Sequence, residues 1–539
     1  METQASPFRV NQVGYAAGLP VRVAVLTDAP VRLTDAEGRC LREFKATLTF
    51  DEASGDRMAL ADLGILPEGT YRLETDTEVR AFTVKAQPWR EVTNALIKGL
   101  YFQRCGCALC AQHAGPYVHA ACHTANSRDW EDQSVRRSVT GGWHDAGDYG
   151  KYVSPGAVTV AHLLWTWKLF PEGCGDPLNI PETGNGLPDI LNEARWELDW
   201  LLKMQRADGA FHHKLTKSHF APFIMPEEDR EQEYLMPVSS CATGAACACL
   251  ALAGRVYRPF DQTFAEDALA AAEKAWNWLE AHPDLLPFKN PEGVRTGQYG
   301  DRSDRDERFW AACELFAATG KDRYREAAEA LYAEGLNPTA FGWADVTGLG
   351  SLCCLFDLKG QAGEVLFGKL KEDFLQRCES VMAVSNQSGY GTALPADRYI
   401  WGSILPIMGN AMAMLLHHRL TGREEMRDAA LNQLHYALGL NALDTCFITG
   451  FGEKPVLHPH HRPSGADGIE APVPGLISGG PNKVFPYPST REKLGPDVPP
   501  AKYFMDETPS ADTNEIAIYW NSPAIFVAAC FNAMTQHHI

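Results

Sequence analysis

Thr319-Gly-Lys-Asp-Arg-Tyr-Arg-Glu-Ala-Ala328 recurs further along the chain as Thr421-Gly-Arg-Glu-Glu-Met-Arg-Asp-Ala-Ala430. In each copy a helical run leads up to Thr-Gly. The glycine stops that helix, and the acidic residues after it suit the positive end of a new one. A helical hairpin written twice predicts stacked hairpins, as an open solenoid or a closed α/α toroid. From Pro88 onward the rest of the chain reads the same way. Asp189 to Lys203 sets Ile190, Ala194, Leu198 and Leu201 on one stripe, and Glu266 to Leu279 is Ala-rich and amphipathic. Gly- and Pro-rich loops at 286–305 and 451–512 break the helical text. Loops of that length in a compact domain are usually functional.

Ahead of Pro88 the period is different. Val21 to Thr27 is β-rich, and Val31-Arg-Leu-Thr, Asp35-Ala-Glu-Gly38 and Arg39-Cys-Leu-Arg read as strand, turn and strand. Gly69-Thr-Tyr-Arg-Leu and Val79-Arg-Ala-Phe-Thr-Val predict a second hairpin. A small all-β module of this kind predicts an immunoglobulin-like sandwich over 1–86, ahead of a helical catalytic domain over 87–539. Packing and support are its expected role.

Composition narrows the function. A formal charge of −19 without any basic run is wrong for a nucleic-acid binder, whose phosphate contacts need Lys and Arg. Ala245 to Gly254 is the longest bland apolar stretch and is too short to span a bilayer. The first ten residues have no basic or apolar signal region, so a cytoplasmic protein is expected. The 15 Cys are an odd number and mostly sit in apolar helical text, which predicts reduced, buried thiols. The 13 Trp suit stacking on sugar rings, with about two thirds of them expected in the core. A monomer is expected.

The loop Gly141-Gly-Trp-His-Asp-Ala-Gly-Asp-Tyr-Gly150 carries four glycines and the carboxylates Asp145 and Asp148. Paired acids beside Trp143 and Tyr149 suit activation of a water next to a sugar. An Asx turn or a calcium loop is the alternative. Near the C-terminus, Asp512-Thr-Asn-Glu-Ile-Ala-Ile-Tyr-Trp-Asn-Ser-Pro523 sets Glu515 beside an apolar run. Such surroundings keep a carboxyl protonated as a general acid, whereas a plain helix-start Glu would only complement the dipole.

Gly141 to Tyr152 and Asn514 to Pro523 resemble the two catalytic segments of glycoside hydrolase family 9. The resemblance extends to Tyr101-Phe-Gln-Arg-Cys-Gly, Ala114-Gly-Pro, Asn179-Ile-Pro-Glu-Thr-Gly-Asn-Gly-Leu-Pro-Asp189 and Pro459-His-His-Arg462, and so covers nearly the whole chain. It implies a mainly α protein, with a six-hairpin α/α toroid behind a β-sandwich. It also implies an inverting enzyme that cuts β-1,4-linked glucans and cello-oligosaccharides. Asp148 then matches the base, Asp145 the partner that helps hold the water, and Glu515 the acid. His461 and Arg462 match residues lining the sugar cleft, with Trp401 and Tyr519 as stacking platforms. Inversion needs room for water, so the two carboxyls are expected about 6.5–9.5 Å apart. An endo-acting glucanase is the first reading. An exo-acting cellobiohydrolase, β-glucosidase or exo-β-glucosaminidase is the second, and closure of one cleft end separates them.

The same resemblance implies metals. Cys105, Cys122, His123 and His144 match a structural zinc set, with Cys107 and Cys110 as rivals. Asp301, Asp304, Asp306, Glu307 and Asp345 resemble a calcium loop, and Glu182, Asn185 and Asp189 a second one. Hard oxygen ligands in Gly-rich loops suit Ca²⁺, although solvated acidic loops look alike. A zinc-hydrolase reading fails, because His-Glu-x-x-His is absent.

Overall fold

A computed structural model describes residues 6–175, 177–359 and 361–536. The N-terminal strands are β1 (Phe8–Arg9), β2 (Tyr15–Ala16), β3 (Pro20–Val25), β4 (Pro30–Thr34), β5 (Cys40–Lys45), β6 (Thr49–Phe50), β7 (Arg57–Ile65), β8 (Gly69–Glu74) and β9 (Val79–Lys85). They form one sheet in the order β1-β3-β7-β6 and another in the order β2-β9-β8-β4-β5. Both expected hairpins are present, as β4 on β5 and β8 on β9. Alternate residues such as Val21, Val23, Val25, Leu33, Leu73 and Phe82 point into a small core of their own.

Twelve principal helices follow among the described residues: α1 (Arg90–Phe102), α2 (Val153–Leu169), α3 (Asp189–Met204), α4 (Ser240–Val256), α5 (Gln262–Ala281), α6 (Arg305–Thr319), α7 (Asp322–Ala333), α8 (Thr347–Leu352), α9 (Glu364–Gln387), α10 (Ile404–Thr421), α11 (Glu424–Ala437) and α12 (Ile518–Gln536). The even-numbered helices form an inner ring. α2 packs on α4, α4 on α6, α6 on α8, α10 on α12, and α12 closes back on α2. The odd-numbered helices pack outside them, α3 on α2, α5 on α4, α7 on α6 and α11 on α10. This is the closed toroid of six hairpins, not the open solenoid.

The ring explains the text of each helix. An inner helix is covered on nearly every side, so it is apolar or small all round; every position of α4 but Arg255 is buried. An outer helix such as α5 buries one stripe, including Phe264, Ala268, Ala272, Ala275 and Leu279. The Thr-Gly junctions behave as expected. Gly320 and Gly422 are left-handed caps that end α6 and α10, and α7 and α11 begin two residues later with Asp322 and Glu424. The 451–512 segment is mostly loop but carries short helices at Arg462–Ala466 and Pro488–Leu494.

The sandwich rests on the helical part through polar contacts. Asn11 Nδ2 lies 2.9 Å from His435 Nδ1 on α11, and Arg80 pairs with Glu453 at 3.0 Å. Asp51 Oδ1 accepts from the Gly389 amide at 2.8 Å.

Candidate active site

The glycine loop and the C-terminal segment meet at one end of the toroid. Gly141 and Gly142 have positive φ, and a Cβ on Gly142 would lie 2.7 Å from the Trp200 ring, so the loop can lie flat on α3 only as glycine. Buried partners hold its far end. Gln103 donates to the carbonyls of His144 and Ala146 at 3.0 and 2.9 Å and accepts from the His144 amide through its own carbonyl. The Asp145 carbonyl accepts from Ile518 N–H at 2.8 Å, and Ala146 pairs with Ala517. His460 pairs with Glu515, while the Gly147 carbonyl accepts from Arg462 N–H at 3.0 Å and Arg462 Nη1 at 2.8 Å. Three segments far apart in sequence thus clamp Asp145, Asp148 and Glu515 onto one cleft.

The three carboxyls differ. The Asp148 carboxylate accepts the Gly150 amide at 2.9 Å. Asp145 is buried, and its Oδ2 accepts a 2.5 Å hydrogen bond from Tyr299, whose hydroxyl is also 3.2 Å from that of Tyr519. Asp145 Oδ1 has no protein partner. Burial, reinforced by the negative charges of Asp148 and Asp145, pushes the Glu515 carboxyl well above the usual carboxylate range, against the opposing pull of Arg462 and the Gly147 amide. Glu515 therefore holds its proton where an ordinary glutamate has lost it.

Around them lies a cleft of about 490 Å³ lined by Tyr152, Phe220, Tyr299, Trp343, Trp401, His460, Arg462 and Tyr487. It continues past Trp343, Trp401, Tyr519 and Trp520 into a further region of about 820 Å³, with Asn337, Arg377 and Asp397 on its walls. Each volume is in the range of ligand sites, and together they suit several linked rings. Eight of the thirteen Trp are buried, and two of the others, Trp343 and Trp401, face this groove.

Burial, with the charge of Asp148 beside it, raises the Asp145 carboxyl as well, against the hydrogen bond from Tyr299. A long cleft with proton-holding carboxyls, Asp148 on the loop opposite Glu515, and aromatic walls is what cutting a sugar chain requires. The model of glycosyl hydrolase family 9 matches residues 89–528. The chain belongs to glycosyl hydrolase family 9. It is 36% identical to a cellodextrinase of Butyrivibrio fibrisolvens, with 96% of this chain and 98% of that protein covered. Among solved structures, a single mutant of a thermostable endoglucanase from Alicyclobacillus acidocaldarius superposes with a TM-score of 0.92 at 34% identity, covering 98% of this chain and 99% of that one. AaCel9A in complex with cellobiose-like isofagomine also superposes at 0.92, with 35% identity over 98% of this chain and all of the other.

Within this family 9 fold, most of the residues singled out from sequence fall where a site is. Arg462 and Trp401 line the cleft, and Tyr519 does so with its ring largely buried. His461 does not. It lies behind the loop, 2.9 Å from Gln103 Oε1 and 2.8 Å from Ser464 Oγ, and its neighbour His460 lines the cleft instead. Tyr152 closes the Gly141–Tyr152 segment but was given no role from sequence; Tyr299, Trp343 and Phe220 are aromatics in loops with no motif around them.

Cys105, Cys122, His123 and His144 come together as a buried group, with one ligand atom of each within 4.8 Å of the others. His123 adopts positive φ to reach it, and Asp229 holds the ring's other nitrogen at 3.3 Å. Cys107 and Cys110 stay outside the group. Of the first acidic set, Asp301, Asp306, Glu307 and Asp345 lie around the start of α6, and both Glu307 carboxylate oxygens are buried without a hydrogen-bond partner. Asp304, the residue before α6, pairs with Arg308 at 2.9 Å. The second set is hydrogen-bonded within the protein. Glu182 grips Arg104 at 2.9 and 3.1 Å, Asp189 accepts from Thr183 Oγ1 and Leu178 N, and Asn185 bonds Asn192.

Proposed function

We propose that this family 9 enzyme hydrolyses internal β-1,4-glucosidic bonds of cellulose-type glucans and cello-oligosaccharides with inversion at the anomeric carbon. Asp148 is the base, Asp145 helps to hold the attacking water, and Glu515 is the acid that protonates the leaving oxygen. The observation that carries this reading is the division of labour in one cleft: Glu515 keeps its proton, while Asp148 faces it from a separate loop. Asp145 Oδ1, buried and without a protein donor, supports a water-holding role. Trp401, Trp343 and Tyr487 supply apolar faces for the sugar rings. The groove continues past Trp343 and Trp401, with room for several linked rings on that side of the acids.

The reading is tested on a soluble mixed-linkage glucan and on short cello-oligosaccharides. The first product is expected to be the α-anomer, visible by NMR before mutarotation, together with a rapid fall in viscosity. An initial β-anomer would mean retention and remove Asp148 from the base role. Release of glucose or cellobiose alone, without loss of viscosity, would make the enzyme exo-acting.

The Cys105, Cys122, His123 and His144 group fits a structural zinc in donor type, number and closure. Bound there, zinc would brace the loop that carries Asp145, since His144 immediately precedes it. Cys122→Ser is expected to abolish the bound metal and make the 141–150 loop protease-sensitive. Elemental analysis showing a full zinc complement in that variant would move the metal elsewhere. Asp301, Asp306, Glu307 and Asp345 are the residues that would hold calcium. The unpartnered Glu307 oxygens support a cation among them.

A further inference from the structure

The loop over 286–305 carries Tyr299, and two residues behind the cleft wall hold its backbone. His213 precedes and Lys214 opens the short strand Lys214–Thr216, which pairs with Lys151–Tyr152. Both side chains are buried. The Lys214 ammonium donates all three of its protons to one segment, at 2.8 Å to Asn290 Oδ1, 3.0 Å to Thr296 Oγ1 and 2.6 Å to the Gly297 carbonyl. His213 Nε2 holds the next carbonyl, that of Gln298, at 2.9 Å. Its tautomer follows from the other side of the ring. Ser239 Oγ accepts from the Ala242 amide as the cap of α4 and lies 2.8 Å from His213 Nδ1, so the hydroxyl donates there and Nε2 carries the ring proton. Burial draws the His213 pKa down to about 3, which keeps the ring neutral as this chain of hydrogen bonds requires. The same ring stacks on Phe288 at 3.9 Å.

Two consecutive carbonyls are thus fixed immediately before Tyr299. Tyr299 itself has φ +46°, a left-handed conformation that a tyrosine keeps only where its surroundings impose it. In that conformation its hydroxyl gives Asp145 Oδ2 the 2.5 Å hydrogen bond, and its ring lies 4.6 Å from that of Tyr152. Neither His213 nor Lys214 lines the cleft. We propose that His213 and Lys214 are positioning residues for the hydrolysis: by holding the Gln298 and Gly297 carbonyls they keep Tyr299 in its left-handed turn and its hydroxyl on Asp145. This rests on the reading that Asp145 helps to hold the attacking water, and it adds what keeps Asp145 aimed.

The test is steady-state kinetics on cello-oligosaccharides, with the melting temperature recorded for every variant. Lys214→Met keeps most of the side chain's length and removes the ammonium. His213→Phe keeps the stack on Phe288 and loses the Nε2 proton, so it stands as the test if Lys214→Met does not fold. Each is expected to lower kcat by about 10- to 100-fold with KM within about twofold, in line with the loss when a reacting group is misplaced by up to about 1 Å. In a Tyr299→Phe background, which has already lost the hydroxyl, either change should lower kcat by less than about threefold more, because residues that act through one contact are not additive. A merely structural role would lower the melting temperature and reduce kcat by the same factor in both backgrounds. That result, or full kcat in both variants, would overturn the proposal. Full kcat in Tyr299→Phe beside an impaired Asp145→Asn would also overturn it and leave Asp145 in its role. Full kcat in Asp145→Asn would overturn the water-holding reading and the proposal with it.

Discussion

Asp148→Asn should fold as the parent does and lose about 10²–10⁴-fold in kcat on every substrate, the usual loss when one acid or base group is removed. Its neighbours explain why the fold survives: the side chain accepts only the Gly150 amide, and an amide oxygen can do the same. Glu515→Gln should lose a similar factor on cello-oligosaccharides, but much less on a substrate with a good leaving group that needs little protonation. The difference between the two variants on the activated substrate is the decisive readout. Equal losses there would mean that the roles are misassigned. Stability gives an independent check. The Glu515 pKa is raised on folding, chiefly by burial, so native protein binds more protons than unfolded protein from about pH 4.5 upward. The parent therefore loses stability as pH rises through that window, and Glu515→Gln, which cannot ionise, does not. The melting-temperature advantage of the variant should grow with pH. A constant difference between pH 4 and pH 9 would show that Glu515 is not a proton-holding group.

Much of this was legible because it is local. The Thr-Gly caps at 319–320 and 421–422 need only the glycine and the acidic start that follows. The glycine loop announces itself because only glycine can lie at φ +115° and +74° against Trp200. The parts that were not legible are made by closing the ring. Tyr299 reaches Asp145 across 154 residues of sequence, and Gln103 meets His461 across 358. Arg104 links Glu182 to Glu193, and Glu193 in turn accepts from the Trp143 indole at 2.8 Å beneath the active loop. In the sequence, Glu193 and Glu197 are ordinary acids on an amphipathic helix. Folding buries both, and Glu197 is pushed up to about 8 by burial despite accepting the Trp143 amide. The neighbouring histidines at 460 and 461 show the same limit. Adjacent residues in extended backbone face opposite ways, and which one faces the sugar depends on the pairing of His460 with Glu515, which spacing alone does not reveal.

That pairing makes Gly147 the most exacting position in the site. Its amide points to the Glu515 carboxyl, its carbonyl accepts twice from Arg462, and a Cβ on it would overlap the His460 carbonyl oxygen. The obstructing atom is backbone, in a segment paired with the adjacent residues Asn514 and Glu515, so it cannot turn away as a flexible side chain would. Gly147→Ala must push the Glu515 segment away from the loop that carries Asp145 and Asp148. Overpacking of this kind costs about 1–3 kcal/mol of stability. The effect on rate should be larger, because a displacement of about 1 Å between reacting groups costs on the order of 10²-fold. The expected result is a kcat near one hundredth of the parent's, little change in KM, and loss of part of the pH dependence set by Glu515. Gly368→Ala is the matched control. Gly368 is exposed on α9, no atom lies within 4 Å of its added Cβ, and helix propensity favours the alanine by about 0.5–1 kcal/mol. Gly368→Ala should therefore be at least as stable as the parent and fully active. If Gly147→Ala matched it in kcat, the spacing of acid and base would not be set through this contact, and the clamp of His460 on the catalytic loop would be packing alone.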